Sequence, residues 1–304
     1  MSARKLENSR QAIEVTQGQG SQAPYSDART ESQEALVRRL WLGPAVFLAG
    51  PANVVMQMSN YPVARGITES KVESGSVLKH PFKRFRTTVG YLDISLFGDD
   101  KLRADYRNAI NGAHRHIHST DASPVQYNAF NRHLQLWVAS CLYYGFRDMT
   151  IGLHGPLTDQ EEEDLLQASS RMGTTLQIPA EMWHPNRQAF ETYWADGMRQ
   201  THWDDETRAY ARNLVNSDFF PGAQKVFKVF FGAPMRFFNI GFLPRELRDE
   251  LGLEWTESDE RTFRRLMRLL GTVSRPLPFA LRRVPTNWMA WNLRIRRRLG
   301  KPMI

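Results

Sequence analysis

Leu102-Arg103-Ala104-Asp105-Tyr106-Arg107-Asn108-Ala109-Ile110-Asn111-Gly112-Ala113-His114-Arg115-His116-Ile117-His118 is the stretch whose reading decides the fold class. As a strand it would set three histidines at period two on one face, which resembles a metal site. As a helix, at about 100° per residue, it puts His114 and His118 about 40° apart and turns His116 to the other side. Leu102, Tyr106, Ala109, Ile110, Ala113 and Ile117 recur at steps of three and four, so the spacing predicts a helix over Lys101–His118. His114 follows Ile110 by four and precedes Ile117 by three, which turns its imidazole inward. His116 faces solvent, and His118 lies near the helix end, where a histidine can meet the last carbonyls.

One inward imidazole cannot hold a bare zinc or iron ion, although it suffices as the single axial ligand of a haem. The same spacing describes a hydrogen-bonded core histidine equally well. A non-haem metal site built on all three histidines is disfavoured by the helical phase.

Outward from this segment the periodicity remains helical. Helices are predicted over 131–146, 159–172, 189–198, 205–215 and 259–270. Thr158 and Glu161 form a capping box at the start of the second of these. Leu40 to Ala64 carries no charged side chain. Gly43-Pro44 and Gly50-Pro51 should interrupt it, and Asn53, Gln57, Ser59 and Asn60 add polar groups, which favours a buried helix pair over a membrane span. No run alternates as strands joined by hairpin turns do. The expected class is therefore all-α, with a disordered polar leader over residues 1–31 and one helical domain over residues 32–304. The first 34 residues contain no apolar run of seven, so no secretory signal is expected.

Composition narrows the classes further. At 304 residues, with 41% hydrophobic and 24% charged side chains, the chain is neither a disordered polymer nor a many-span membrane protein. The single cysteine, Cys141, excludes a disulfide scaffold and a Cys-x-x-Cys-His haem attachment, and reads as intracellular. Arg261 to Ile304 holds eleven Arg, Lys301 and no Asp or Glu, so this segment carries +12 while the first 260 residues carry −4.

The order of motifs resembles the MpaB-type oxygenase family, which includes the catalytic domain of latex clearing protein, a rubber oxygenase. The likeness runs from about Leu42 to Gly300. Its pieces are Gln57 to Gly66, Arg84 to Thr88, Phe97-Gly98, the His114 helix, Tyr127-Asn128-Ala129 and Leu136-Trp137-Val138-Ala139. They continue through Tyr144-Gly145, Pro156-Leu157-Thr158 with Glu161, Ile178-Pro179, Phe190 to Trp194 and Leu243 to Arg248.

The resemblance implies an all-helical domain enclosing a non-covalent b-type haem whose iron is held by one proximal histidine, and His114 matches that position. It also implies a distal Arg and a Thr four residues later, a pair that Arg84 and Thr88 reproduce. Arg86 and Thr87 offer a shifted register, and an Arg here can pair with a haem propionate. The plain alternative for Arg84 and Arg86 is a solvated basic turn beside Lys83. Where the family shows Val followed by Arg or Gly, this chain has Ile117 and then His118-Ser119, which leaves His118 open as a neighbour of His114 or a competitor to it.

The expected function is that of a haem b-dependent oxygenase. It would use dioxygen on an apolar small-molecule or polyisoprenoid-like substrate, by oxidative cleavage of a C=C bond. Phe219-Phe220, Phe227, Phe230-Phe231 and Phe237-Phe238 suit either a greasy channel or ordinary core packing. Glu69 and Glu73 read as loop carboxylates. In the last segment Trp291, Leu293, Ile295 and Leu299 interleave with Arg294, Arg296, Arg297 and Arg298. That mixture predicts a cytoplasmic protein held peripherally at an anionic membrane surface. The rival class is a non-catalytic module whose basic segment binds a membrane surface or nucleic acid; under the oxygenase reading no nucleic acid is expected as a partner.

Overall fold

The computed structural model describes residues 29–70, 81–218 and 225–301. The leader expected over residues 1–31 falls outside the described residues up to residue 28. Arg29 donates to the Leu96 carbonyl at 2.8 Å and to the Ala168 carbonyl at 3.0 Å, and Thr30 caps the first helix, α1 (Glu31–Leu40), through a capping box with Gln33.

Every regular element among the described residues is helical, as the periodicity predicts; the one β-contact is an isolated bridge between His118 and Asn128. After an 84° bend, α2 (Gly43–Met58) runs through the centre of the molecule. The break expected at Gly50-Pro51 does not occur. Pro51 sits inside α2 and forfeits one intrahelical hydrogen bond, while Ala49, Ala52, Val55 and Met56 are buried and hold the helix in place. Pro44 lies in the first turn, where its missing N–H costs nothing. Among the described residues no single helix is long and apolar enough to cross a membrane; α1 and α2 pass only as a sharply bent pair.

After α3 (Tyr61–Thr68), α4 (Pro81–Phe97) and α5 (Asp100–His114) form a hairpin. Asp99 caps α5 by accepting from the Leu102 N–H at 2.7 Å, and the Tyr106 hydroxyl donates to the Thr87 carbonyl at 2.6 Å. The helix stops at His114 and does not reach His118. The chain beyond pairs with a second segment instead: Ser119 N–H donates to Tyr127 O at 2.8 Å and Ala129 N–H to Ile117 O at 2.9 Å. Those tertiary hydrogen bonds replace the intrahelical ones that a longer α5 would have made.

The long α6 (Arg132–His154) is the hub. The capping box of Thr158 and Glu161 starts α7 (Asp159–Ala168) as expected, but the predicted run to residue 172 divides into α7 and the short α8 (Arg171–Thr174), with the Ser169 hydroxyl donating back to Leu165 O at 2.7 Å. Then come α9 (Arg187–Arg199), α10 (Asp205–Val215), α11 (Lys225–Gly241), α12 (Arg245–Glu250), α13 (Glu257–Ser274), α14 (Phe279–Arg282) and α15 (Thr286–Arg298). α13 crosses α6 so closely that a Cβ on Gly271 would lie 1.8 Å from the Leu153 carbonyl oxygen.

Between α6 and α9, His184 is buried among Trp183, Phe190 and Tyr193, with Nε2 2.8 Å from the Ser140 hydroxyl. Burial pushes its pKa down to about 4. The folded state therefore holds this ring neutral, so its contribution to stability is complete above about 6.5 and is lost as pH falls through about 4. Urea midpoints should drop between pH 6.5 and 4, with His184 accounting for roughly 3 kcal/mol at most, and His184→Gln should make that drop smaller. An equally steep fall in the variant would assign the acid sensitivity to other groups.

Candidate active site

A cavity of about 720 Å³ opens between α2, α4, α6, α11 and α15. Its walls are mostly aliphatic and aromatic, and its size is that of a site for a cofactor or a lipid-like molecule. Besides Asn239 on α11, two polar features interrupt the wall. On α2, Gln57 Nε2 donates to Asn53 Oδ1 at 2.9 Å, and Asn53 Nδ2 donates to the Cys141 carbonyl at 2.6 Å. The second feature, on the first turns of α4, is a set of three cations, Lys83, Arg84 and Arg86, followed by Thr88.

The structure brings Arg84 and Thr88 to the same wall, one helical turn apart. The alternative of a solvated basic turn describes this segment only in part: Arg84 and Arg86 line the cavity, with Arg86 half-buried. Arg84 lines the cavity and keeps exposed surface. Burial lowers its pKa, partly offset by Tyr106 and Tyr210. No described carboxylate pairs with it. Nε of Arg86 is likewise buried without a partner. Thr87 is turned back on its own helix, its hydroxyl donating to the Arg84 carbonyl at 2.8 Å, while Thr88 lines the cavity.

His114, the last residue of α5, is largely buried against the edge of Phe130 at 6.1 Å. Its Nδ1 has no hydrogen-bond partner. Burial first, and the charge of Arg84 second, push its pKa down to about 4, so the ring is neutral at pH 7. The imidazole is not itself on the cavity wall; Arg84 joins the two, walling the cavity and being felt electrostatically at His114. His116 and His118 are exposed on the loop that follows, and among the described residues no three His, Cys, Asp or Glu side chains gather to hold a metal ion. The donor set has the single imidazole that a haem needs, with an unpaired nitrogen, and lacks the ligands of a bare ion; that imidazole stands off the wall of the apolar cavity lined by Lys83, Arg84 and Arg86.

The motif residues Tyr61, Arg65, Gly66 and Tyr127 converge on a second cluster. Glu69 accepts from Arg65 Nε at 2.8 Å, Ser123 Oγ at 2.5 Å and Tyr127 Oη at 2.8 Å, while Arg65 also meets Asp204, which accepts from Tyr61 Oη at 2.8 Å. Burial alone would raise the Glu69 pKa, but these three donors outweigh it and lower it. Glu69 is thus a partly buried structural tie and not the solvated loop carboxylate of the sequence reading; Glu73 lies outside the described residues. Of the phenylalanines, Phe231 lines the cavity, and Phe237 and Phe238 pack on Phe263 in the core. Phe219, Phe220 and the side chain of Phe227 lie outside the described residues.

The sequence profile of the family described as ER-bound oxygenase mpaB/B'/Rubber oxygenase, catalytic domain, matches residues 37–272. The chain belongs to that family. Two mycobacterial relatives, uncharacterized proteins of Mycobacterium bovis and Mycobacterium tuberculosis, are each 39% identical over 254 residues, covering 83% of this chain and 98% of their own length. No solved structure matches. As a member of the mpaB/rubber oxygenase family the chain is an oxygenase catalytic domain, and the matched span contains α2, α4, α5, α6 and α11, together with the Glu69 cluster. The basic α14 and α15 follow it. Sequence reasoning missed Asn53 and Gln57 as cavity residues because it weighed them against a membrane span and took Gln57 otherwise only as the start of the Gln57 to Gly66 piece; their i, i+4 spacing on α2 was the available signal.

Proposed function

We propose that the chain is a haem b-dependent oxygenase that admits an apolar, isoprenoid-like or lipid-like substrate and dioxygen to the cavity beside Arg84, and cleaves a C=C bond of that substrate. The observation that carries the reading is the buried His114 ring with its orphaned Nδ1 next to an Arg84 that faces an apolar cavity without a carboxylate. An unpaired buried imidazole nitrogen costs about 1–3 kcal/mol, a cost that ends when a ligand takes its lone pair. His114 would hold the iron, and the haem when bound supplies the redox chemistry that dioxygen requires.

The remaining roles belong to the chain itself. Arg84 directs fixed donors into a space of low polarity, where they hold a propionate or favour negative charge developing on oxygen. Thr88 adds a hydroxyl one turn along. The aliphatic wall from α2 and α6 excludes water and gives the substrate no partner for polar groups, which selects an apolar chain. The same reading makes the protein a cytoplasmic enzyme peripheral at an anionic membrane.

Protein expressed with a haem precursor should purify coloured, with a Soret band that shifts on reduction under carbon monoxide and about one iron per chain. Stoichiometric zinc without iron, or a colourless protein after haem reconstitution, would overturn the reading.

A further inference from the structure

α15 is amphipathic in an unusual sense. Its inner face, Met289, Ala290 and Leu293, is buried on α4, yet its outer face is apolar too: Trp288 is 59% exposed, Trp291 54% and Leu299 62%. With Ile295, these residues share one side of the helix at about 100° per residue. Arg294 and Arg298 flank that stripe. Neither has a carboxylate partner among the described residues, in contrast to Arg283 and Arg297, which pair with Asp93 and Asp105. The chain from Arg261 onward offers no acidic side chain at all.

Trp288 belongs to two surfaces at once, the outer stripe and the cavity wall. Phe231 of α11 does the same: it is 50% exposed and lines the cavity, while its neighbours Val229 and Phe230 are 80% and 71% exposed. Trp288 and Phe231 thus link the cavity wall to large exposed apolar side chains, on α15 beside unpaired arginines. Such patches are uncommon on surfaces that meet only water.

We propose that this face, α15 with the outward side of α11 at Val229 to Phe231, docks on an anionic lipid bilayer and turns the cavity mouth into it. The occupant is a membrane because the patch joins tryptophans, which settle at the headgroup level, to cations free to meet lipid phosphates, with the apolar rim continuing into the acyl region. An apolar substrate then passes from bilayer to cavity without crossing water. The docking stands by itself; the access route rests on the oxygenase reading.

The test uses the full chain and vesicles of phosphatidylcholine with or without phosphatidylglycerol. Sedimentation is expected with the anionic vesicles at low salt and release at high salt. Trp291→Glu with Leu299→Glu, and separately Arg294→Glu with Arg298→Glu, should each weaken partitioning about thirty-fold or more while circular dichroism and thermal midpoint stay as in the parent. None of these four side chains lines the cavity. Trp288→Phe and Trp291→Phe should each remove part of the fluorescence quenched by brominated acyl chains.

Partitioning that either double variant leaves unchanged overturns the docking, as does equal binding to neutral vesicles. A parent that dimerises without lipid and becomes monomeric in the Trp291, Leu299 variant assigns the face to a second copy and also overturns it. Bilayer quenching with no share from Trp288 overturns the access route. Colour and sedimentation are read separately, so a colourless protein that still binds vesicles sinks only the oxygenase reading.

Discussion

His114→Ala is expected to purify without a Soret band and to lose oxygenase activity by more than about 100-fold, since even the partners of a metal ligand, when removed, cost 10–100-fold. The apo fold should survive. His114 is the last residue of α5, makes no hydrogen bond with its buried Nδ1, and is held neutral by burial, so the fold draws little from it. Removing an unsatisfied polar atom relieves a cost, and the apo variant is expected to melt no lower than the parent. A histidine serving the core would give the opposite result, lost stability with haem content unchanged. Two further variants separate ligation from packing. His114→Gly supplemented with imidazole should regain colour, because the free base can enter the vacated space. His118→Ala should keep its haem, because that ring is exposed and its Nδ1 lies near only the Ser119 carbonyl at 3.2 Å. Loss of colour in His118→Ala with retention in His114→Ala would reverse the assignment of the proximal ligand.

How far the sequence could be read depended on how each helix is buried. α5, α7 and α10 have one face in the core and one in water, so their period stands out, and α10 was bounded at Asp205 and Val215 as found. α4 carries Arg84 and Thr88 yet gave no helical signal. From Val89 to Leu96 every residue is buried, including Asp93 and Ser95, and a helix enclosed on all sides has no polar face to set a period. Its outline emerged only through the motif Arg84 to Thr88. α15 was hidden for the opposite reason: with apolar groups inside and out, its pattern read as a mixed basic tail. The end of α5 could not be read locally either, since the backbone pairing of residues 117–119 with 127–129 is made by residues ten positions away. The inward phase of His114 was legible from the apolar stripe. The cavity shared by Arg84 and Thr88 comes from five helices meeting and leaves no mark on any one of them.

Asp93→Ala should be the most damaging single change to stability. Asp93 is fully buried in α4 and accepts from Arg283 Nε at 2.7 Å, from Arg283 Nη2 at 2.5 Å and from the Thr286 hydroxyl at 3.0 Å. Three donors compensate its desolvation, and two of them form a bidentate fork. Arg283 is itself mostly buried and lies over the Phe97 ring at 4.6 Å, so loss of the carboxylate strands a cation in the interior. Removing one partner of a buried pair costs about 3–5 kcal/mol, where a surface pair costs at most about 1. The thermal midpoint should fall on the order of 10 °C. The same contact fastens α14 and α15 to the helix that bears Arg84 and Thr88, and α15 gives the cavity Trp288 and Met289. Haem retention and vesicle binding should therefore weaken together with stability, although Asp93 lines neither surface. Asp93→Leu combined with Arg283→Met exchanges the pair for apolar groups and should recover most of the midpoint, because no charge is then left unpartnered. If the double variant melts as low as Asp93→Ala, packing around residue 93 and not the ion pair secures the C-terminal helices.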